Sequence, residues 1–310
     1  MIVVAVPAVA LAVVSLAAFL GRWIWWLDVL ANFRAQYVVA LALLGLVVMM
    51  SKWRKTGYAI LGVALVNLIA VLPLYVGSPA EASVDRPSLR VMSFNLLSDN
   101  ESYSDVIDYI DTVTPDLVLL HEASRPWEVA LESAGLGYQV IRARSDDLIF
   151  GTLVLARGSE VEAVSFGFSS TSPRAVEVIF IPEGWTEPVS GLGVHPLAPT
   201  DAERADLRDA QLAFAGQWAS SQRGPFVIAG DFNATPWSWP FRRLMASADV
   251  RNSQAGFGLQ PSFASQTNLL LRVPIDHLLH SADLEVTDRR LGPDLGSDHF
   301  PLLVDLQLGG

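Results

Sequence analysis

Three long apolar runs occupy the first quarter of the chain, and shorter apolar runs separated by polar residues occupy the rest. The long runs cover residues 2–20, 35–50 and 57–76. Each is roughly 16–20 residues long, close to the length that a helix needs to cross a bilayer. The first run lacks a preceding basic segment and is longer than the apolar part of a signal peptide. The pattern predicts three membrane-spanning helices; the alternative is one signal anchor followed by two buried helices.

The short loops between these runs carry the charge that would orient the spans. Loop 51–56, SKWRKT, contains three basic residues and no acid. The positive-inside rule places such a loop in the cytoplasm, which puts the N-terminus there and the C-terminal part outside. Trp23, Trp25 and Trp26 lie beside the end of the first run, which is typical of residues at a membrane interface. Packing between helices is the alternative for these tryptophans.

The charge of the chain changes where the long apolar runs end. Residues 1–80 contain five of the 21 basic residues and one of the 32 acidic residues, a net charge near +4. Residues 81–310 keep 16 Arg and 31 acidic residues, with no Lys, and have a net charge near −15. The boundary lies in GSPAEASVDRP at 77–87. We therefore expect a membrane anchor over residues 1–80 and a second domain over 81–310.

Charge argues against one class of partner, and the cysteine content excludes one class of site. Proteins that bind long nucleic acids usually present a basic face, and the acidic C-terminal part argues against tight general binding of a duplex. The chain has no cysteine. Disulfides and metal sites built from thiolates are therefore excluded.

The C-terminal part contains many short strand patterns. LRVMSFN at 89–95 and PDLVLLHE at 115–122 predict strands on either side of a helix with apolar spacing between residues 103 and 113. Further strands are predicted at 138–142, 150–156, 161–166, 175–181, 189–195, 225–231, 275–280, 284–290 and 301–306.

Two more helices interrupt these strands. Thr200 is the expected N-cap of a helix that ends near residue 221, with Glu203 completing a capping box. A short helix is expected at 239–246. Because strands outnumber helices and helices interrupt runs of strands, the pattern favours two packed sheets with helices outside them.

Six predicted strands end in polar residues of types that bind metal ions or transfer protons. These are Asn95, Glu122, His195, Asp231 with Asn233, Asp276 with His277, and Asp298 with His299. Each group alone has an ordinary structural explanation, such as an Asx turn after the strand or a solvated carboxylate. Strand ends at one rim of a sheet converge in space, so the six together predict a single site.

The order of these groups resembles that of the endonuclease/exonuclease/phosphatase superfamily, to which DNase I belongs. GDFN at 230–233 and SDH at 297–299 are the most specific motifs, and FN, LLHE and IDH occur in the expected order. The resemblance covers nearly all of residues 88–308. It implies an α+β fold, a four-layered α/β/β/α sandwich of the DNase I type, here preceded by three transmembrane helices as in a bacterial membrane-anchored member.

The resemblance also implies a bound metal ion. It assigns Glu122 as the principal metal carboxylate, Asn95 as its neighbour at the metal or phosphate, and Asp298 as a further acid. Oxygen ligands without a thiolate suit Mg²⁺ or Mn²⁺. The metal would neutralise charge that develops on the phosphoryl group.

The catalytic roles likewise follow from the resemblance. Asp231 would position or deprotonate the attacking water, and Asn233 and His299 would bind phosphate oxygens. Asp276 would orient His299, and His195 would lie near the leaving group. Which histidine is the acid and which the base stays open.

Some residues depart from the family pattern or have no assigned role. His121 stands where many members have Gln, and His277 where some have Tyr. We expect His121 to be buried or to support the site, and His280 to be structural. Arg174 precedes a predicted strand, where it would contact a phosphate or form a surface ion pair.

The sequence therefore predicts a metal-dependent phosphoester hydrolase anchored at the outer face of a membrane. Its partners would be the membrane and a phosphoester substrate, with lipid head groups among the candidates and long nucleic acid disfavoured. An extracytoplasmic nuclease and a non-catalytic module of the same fold are alternatives. The second is disfavoured because none of the family's site residues is lost. A transporter is disfavoured because the spans carry almost no ionisable residues.

Overall fold

Two six-stranded sheets pack face to face in the part of the chain that follows residue 87. The structure is a computed structural model that describes residues 2–143, 151–169 and 172–309. The strands are β1 Ser88–Asn95, β2 Leu117–His121, β3 Gln139–Ala143, β4 Thr152–Ala156, β5 Ser159–Phe166, β6 Ala175–Ile181, β7 Val189–Gly193, β8 Phe226–Asp231, β9 Arg251–Asn252, β10 Asp276–His280, β11 Leu284–Leu291 and β12 Leu302–Leu308. Position 150, the predicted start of one strand, lies outside the described residues.

Both sheets are mixed. The first has the order β11-β12-β1-β2-β4-β3 and the second has the order β5-β6-β7-β8-β10-β9. The pairs β1–β2 and β7–β8 are parallel, and the other neighbours are antiparallel. β1 and β8 occupy inner positions of the two sheets, and the two strands contact each other across the sandwich.

Alternation along the strands builds three apolar layers. In β1, Leu89 and Val91 face the second sheet, whereas Met92 and Phe94 face the helices outside the first sheet. The α-helices in the described residues are α1 Ile2–Ala17, α2 Trp25–Ala31, α3 Arg34–Met49, α4 Arg54–Val71, α5 Tyr103–Val113, α6 Arg125–Ala134, α7 Ala202–Ser221 and α8 Trp239–Ser247. The helices α5 and α6 cover one sheet and α7 and α8 the other. The predicted four-layered α/β/β/α sandwich is therefore confirmed.

Helix boundaries depart from the predictions in three places. Asp201, not Thr200, caps α7: its side chain accepts a hydrogen bond from the backbone N–H of Arg204. Short carboxylates compete well with Thr as N-caps, which explains the shift by one residue. The helices α2 and α6 were not predicted; in α6, Pro126 occupies the first turn, where proline is tolerated.

The N-terminal helices α1, α3 and α4 form a packed bundle. Gly57 lets α4 approach α3, because a side chain there would overlap the backbone of Met49. A buried polar chain also links the helices: Arg34 donates to Asn67 at 3.1 Å, and Asn67 donates to Ser15 at 3.1 Å. These contacts join all three helices without exposing polar groups to the surrounding surface.

Two of these helical segments, Val3–Leu20 and Arg54–Tyr75, are long and apolar enough to cross a membrane. The helices α2 and α3 meet the same criterion together, although they are bent by 65° at their junction. The predicted middle span coincides with α3, which has only 16 residues. The expected three spans therefore depend on α2 and α3 crossing as one bent unit. The expected boundary at residues 77–87 stays a prediction.

Candidate active site

One rim of the sandwich gathers the polar groups from both sheets. Asn95 ends β1, Glu122 follows β2, His195 follows β7, and Asp231 ends β8. Parallel neighbours end at the same rim, and β1 contacts β8 across the two sheets. The predicted convergence of these strand ends is therefore observed.

Three of the predicted residues stand at strand starts and not at strand ends. Asp276 is the first residue of β10, and Asp298 and His299 precede β12. Both strands run antiparallel to their neighbours, so Asp276 pairs directly with Asp231. Antiparallel pairing brings the start of one strand to the end of the next, which is why these residues share the rim.

Asn95 connects the carboxylates of Glu122 and Asp231. Its Nδ2 atom donates to Glu122 Oε1 at 3.0 Å and to Asp231 Oδ2 at 3.2 Å. The backbone N–H of Ser98 donates to the other oxygen of Glu122 at 3.2 Å. The Asn95 Oδ1 atom accepts a hydrogen bond from the Leu97 N–H. Both the oxygen and the nitrogen of this amide are therefore hydrogen-bonded, and the amide orients Glu122.

Two site residues adopt left-handed backbone conformations that side chains rarely favour. Glu122 has φ +56° and Asn233 has φ +48°. Such conformations persist only where the surroundings hold them, and they cluster at functional sites. Gly230 has φ +152°, and a Cβ atom there would overlap the carbonyl oxygen of Val194. Glycine is therefore required just before Asp231, because β8 and the segment after β7 approach too closely for a side chain.

Burial changes the proton affinity of Asp231. Its side chain is almost fully buried, and the charge of Asp276 acts on it as well. Burial raises the pKa of Asp231 to about 7, against the opposing effect of His299. This carboxyl group can therefore exchange a proton near neutral pH.

Asp276 and His299 form a short buried pair. His299 Nδ1 lies 2.8 Å from Asp276 Oδ2, and His299 Nε2 lies 3.6 Å from Asp231 Oδ2. Burial would lower the pKa of His299, but the carboxylates of Asp276 and Asp231 outweigh it and raise the pKa to about 10. Burial disfavours the carboxylate of Asp276, yet the charge and hydrogen bond of His299 hold its pKa below the usual value. The pair is thus an imidazolium held by a carboxylate.

His195 lies close to the carboxylates of Glu122 and Asp231. Its Nε2 atom lies 3.7 Å from Glu122 Oε1 and 3.7 Å from Asp231 Oδ2. Burial lowers the pKa of His195 to about 4, although Glu122 opposes this. A neutral imidazole therefore stands beside a cationic one in the same site.

Asn233 has its amide hydrogens engaged within the protein. Its Nδ2 atom donates to the carbonyl oxygen of Pro196 at 3.0 Å and to Asp231 Oδ2 at 3.3 Å. Its backbone N–H donates to Asp231 Oδ1 at 2.9 Å. In this arrangement Asn233 orients Asp231. Its predicted donation to a phosphate oxygen requires one of these bonds to be exchanged, and that role stays a prediction.

The histidines without assigned roles lie behind the site or away from it. His121 is fully buried, with its ring 5.5 Å from that of His195 and its Nδ1 atom 3.4 Å from the Thr152 hydroxyl. His277 points to the other face of β10, where its Nε2 atom contacts the carbonyl oxygen of Ala234. His280 lies at the opposite end of β10 and contacts its neighbour's carbonyl. The rim therefore uses His195 and His299 alone among the five histidines, all of which are described.

Arg174 does not extend into the rim. Its guanidinium donates to the hydroxyl and the carbonyl oxygen of Ser165, on the neighbouring strand β5. Among the described residues, the guanidinium of Arg289 in β11 does lie close to the site; it is buried, with its Nη2 atom 3.5 Å from the carbonyl oxygen of Asp276. Burial lowers the pKa of Arg289 to about 9, against the opposing effect of Asp276. No pattern in the sequence indicated a role for this residue.

Serine side chains fix the two halves of the rim. The hydroxyl of Ser297 donates to the carbonyl oxygen of Asn95 at 2.7 Å and accepts from the His299 N–H at 3.0 Å. The hydroxyl of Ser262 accepts from the Asp276 N–H at 3.2 Å. Ser297 belongs to the SDH motif, and its position next to two predicted site residues is the sequence feature that could have identified it as part of the site.

The donor set fits a divalent cation. Glu122 and Asp298 are the partly exposed carboxylates of the rim, and the proximity of Glu122 contributes to a raised pKa of Asp298, after burial. Within the described parts of the chain, no three His, Asp or Glu side chains are already arranged as a metal site. Mg²⁺ is usually held by one or two carboxylates, water and substrate phosphate oxygens, so a complete protein cage is not required.

The sequence model described as the Endonuclease/Exonuclease/phosphatase family matches residues 92–299, from β1 to the last site residue. No curated protein matches the chain.

Solved structures share this architecture at low sequence identity. The endonuclease/exonuclease/phosphatase from Bacteroides vulgatus aligns with a TM-score of 0.62 and 17% identity, covering 72% of this chain and 100% of that one. The human Nocturnin catalytic domain with bound sulfate aligns with a TM-score of 0.60 and 18% identity, covering 76% and 99%. A conserved Enterococcus faecalis V583 protein of unknown function gives 0.61 and 16%, covering 71% and 100%. These similarities establish the fold.

Proposed function

The chain belongs to the Endonuclease/Exonuclease/phosphatase family, a family of phosphoester hydrolases whose members generally use divalent metals; from this premise we propose that it is a Mg²⁺- or Mn²⁺-dependent phosphodiesterase or phosphatase anchored at the outer face of a membrane. The observation that carries the proposal is the line of side chains Asp276, His299 and Asp231. It ends beside Glu122 and His195, so acid, base and anion-binding groups share one rim.

Asp231 is the group that would act on water. Its raised pKa makes it a better base than an ordinary aspartate and leaves a usable fraction ionised at neutral pH. Hydrogen bonds from Asn95 and Asn233 fix the direction of its lone pairs. The carboxylate accepts a proton from water as the water oxygen attacks phosphorus.

His299 is the group that would bind the phosphate. Asp276 occupies its Nδ1 side, which leaves Nε2 facing the site. Because this imidazole is cationic, it attracts a phosphate oxygen and stabilises the negative charge that increases in the transition state. Charge-assisted hydrogen bonds of this kind are stronger than neutral ones.

His195 is suited to a different role because its ring is neutral. Its Nε2 atom faces the carboxylates of Glu122 and Asp231. A neutral imidazole can donate a hydrogen bond to a leaving oxygen without adding a second cation to the site. This assignment makes His299 the anion-binding group and His195 the leaving-group donor.

A divalent metal, when bound, would polarise a phosphoryl oxygen and neutralise negative charge. Glu122 and Asp298 would hold it, with Asn95 keeping Glu122 in place. The surplus of carboxylates at the rim favours such a cation, because unpaired buried carboxylates repel one another.

The test uses the full chain in lipid nanodiscs and the soluble diester bis-p-nitrophenyl phosphate. We expect release of p-nitrophenol with Mg²⁺ or Mn²⁺, loss of the activity with EDTA, and recovery when the metal is restored. The control variant is Asp231→Ala. If the full chain releases no more product than Asp231→Ala with any divalent metal, the hydrolase proposal fails.

The orientation has its own test, which the absence of cysteine makes simple. Val84 is fully exposed on the domain side of α4, and Lys52 lies in the loop between α3 and α4. In intact cells, a membrane-impermeant maleimide should label Val84→Cys and should label Lys52→Cys only after lysis. The reverse labelling pattern would place the domain in the cytoplasm.

A further inference from the structure

An apolar groove of 680 Å³ lies between the helix α3 and the segment 259–272 of the catalytic domain. Its volume is within the range of about 300–1,000 Å³ typical of ligand sites. One wall is formed by Val39, Ala40 and Leu43, and the other by Leu259, Leu269 and Leu270. The groove therefore joins the anchor to the domain that carries the site.

The second wall exposes three consecutive leucines. Leu269, Leu270 and Leu271 form a single helical turn and are 67%, 66% and 56% exposed. The Asn268 side chain caps this turn by accepting from the Leu270 N–H at 3.0 Å. Such an apolar cluster is costly in water, and a fixed cluster of this kind marks a surface that contacts something apolar.

The position of the leucines beside α3 indicates that the apolar material they contact is lipid hydrocarbon. Gln36 in the first turn of α3 donates to the carbonyl oxygen of Arg272 at 2.9 Å, which ties the segment to the helix. Leu43 lies about 10 Å further along α3, at 1.5 Å per residue. Val39 and Leu43 are 56% and 61% exposed, so they form part of the outward face of the bundle. When α3 lies in a bilayer, this face and the groove open onto lipid hydrocarbon.

The same segment contacts the catalytic pair. The ring of Phe263 lies 4.9 Å from that of His299, and their backbones form an isolated bridge. The backbone N–H of Ser265 donates to the carbonyl oxygen of Asp298 at 2.9 Å. A molecule in the groove therefore lies against the segment whose other contacts are the phosphate-binding and metal-binding residues.

From this continuity we propose that the groove holds the hydrocarbon chain of an amphiphilic phosphodiester, which makes the substrate class a membrane lipid phosphodiester. The assignment rests on the proposed hydrolase function. In the reaction a water oxygen bonds to phosphorus, one P–O ester bond breaks, and the departing alkoxide takes up a proton. The hydrocarbon chain in the groove contributes to substrate binding, and the residues of the rim carry out the hydrolysis.

The test compares two substrates that differ only in chain length, methyl p-nitrophenyl phosphate and hexadecyl p-nitrophenyl phosphate. Both are phosphodiesters with the same leaving group. The full chain in lipid nanodiscs should have a higher kcat/KM for the hexadecyl ester. The methyl ester reports the chemistry alone, so its loss would count against the hydrolase function and not against the groove.

A variant that fills the groove distinguishes binding of the hydrocarbon chain in the groove from simple enrichment of the long ester in the bilayer. Ala40→Phe fills the groove and keeps the surface apolar, whereas Ala10→Phe adds the same ring to an exposed position on α1. We expect Ala40→Phe to reduce the hexadecyl-to-methyl ratio of kcat/KM by about tenfold or more, since burial of each methylene contributes to binding. Ala10→Phe should leave the ratio at its original value.

Polar substitution of the leucines tests the other wall. The double variant Leu269→Ser and Leu270→Ser should lower the same ratio, and Val164→Ser, at an exposed valine on β5, should not. If Ala40→Phe keeps the full ratio while the leucine variant lowers turnover of both esters, the segment only inserts into the bilayer and the proposal is overturned. A ratio that neither variant changes overturns it as well.

Discussion

The candidate active-site rim and the contact of α2 with α7 both bury charge, but they balance it differently. At the contact, Arg208 of α7 donates to Asp28 of α2 at 3.0 Å, and both side chains are at most 3% exposed. Asp28 also accepts from the backbone N–H of Trp239, so its charge is paired and hydrogen-bonded. At the rim, the three carboxylates of Asp276, Asp231 and Asp298 lie within 4.0 Å of His299, and Glu122 adds a fourth carboxylate beside His195. Arg289 lies behind Asp276 as a further cation.

The difference separates a structural use of buried charge from a chemical one. A buried pair with satisfied hydrogen bonds fixes one arrangement of two elements. A rim with surplus negative charge raises carboxylate pKa values and leaves affinity for a cation. The contact therefore fixes the position of the two elements, and the rim has the charge pattern that the proposed hydrolysis requires.

The two regions are connected through one short loop. Arg208 also donates to the carbonyl oxygen of Asn233, at 3.3 Å. Asn32, at the end of α2, accepts hydrogen bonds from the hydroxyls of Thr235 and Ser238. The N-terminal helices thus hold the loop that follows Asp231, so they are not joined to the site residues by the connecting segment alone.

The largest effect is expected from neutralising the rim. Asp231→Asn should lower turnover of bis-p-nitrophenyl phosphate by about 10²-fold or more, because the general base is lost. The melting temperature at pH 8 should not fall, because the variant removes a buried carboxylate that Asp276 repels. Asp283→Asn, at an exposed position, is the control. A stability loss as large as the activity loss would make Asp231 a structural residue.

Breaking the buried ion pair at the contact should mainly lower stability, whereas Asp231→Asn should mainly lower activity. Arg208→Met leaves Asp28 buried without its partner and should lower the free energy of unfolding by about 3–5 kcal/mol. Removing both charges in Asp28→Leu with Arg208→Met should restore most of it. Arg86→Met, which breaks a half-exposed pair with Glu285, should cost about 1 kcal/mol or less. Equal effects of the two single variants would show that the buried pair has no special role.

Metal binding sharpens the comparison because the proposed metal carboxylates, Glu122 and Asp298, lie at the rim and not at the contact. At a hundredfold excess of Mg²⁺ over its Kd, the fold should gain about 2.7 kcal/mol, measured as a rise in melting temperature. Glu122→Gln should abolish the rise, and Glu187→Gln, at an exposed site, should retain it. A rise that persists in Glu122→Gln would place the cation elsewhere.

A buried histidine outside both regions gives the smallest effect. Burial lowers the pKa of His277 to about 3, whereas in the unfolded chain it is near 6.5. The neutral ring therefore supports the fold fully above pH 6.5, and this support decreases as the pH falls towards 3. At pH 5 the loss is about 2 kcal/mol, and His277→Phe should remove it. An unfolding profile with unchanged acid dependence in His277→Phe would contradict the assignment.

Local sequence patterns were sufficient for the described strands other than the two-residue β9, for most helices and for the identity of the family. Alternation in β1 and the apolar spacing of α5 depend on neighbouring residues alone, so they could be predicted. The groups at the rim were predicted together because polar side chains at strand ends break an apolar run. Their individual geometry was not predictable: Asn233 donates its amide hydrogens to Asp231 and Pro196, and Arg289 lies behind Asp276.

Composition and motif order, which are local properties, were enough to show that an apolar segment precedes an acidic segment with the family's site residues. Tertiary structure alone decided that Asp28, the single acid of residues 1–80, pairs with Arg208, and that three leucines lie beside α3. The partners Asp28 and Arg208 are 180 positions apart. Their pairing depends on how separate elements pack in three dimensions, and no periodicity along the chain encodes it.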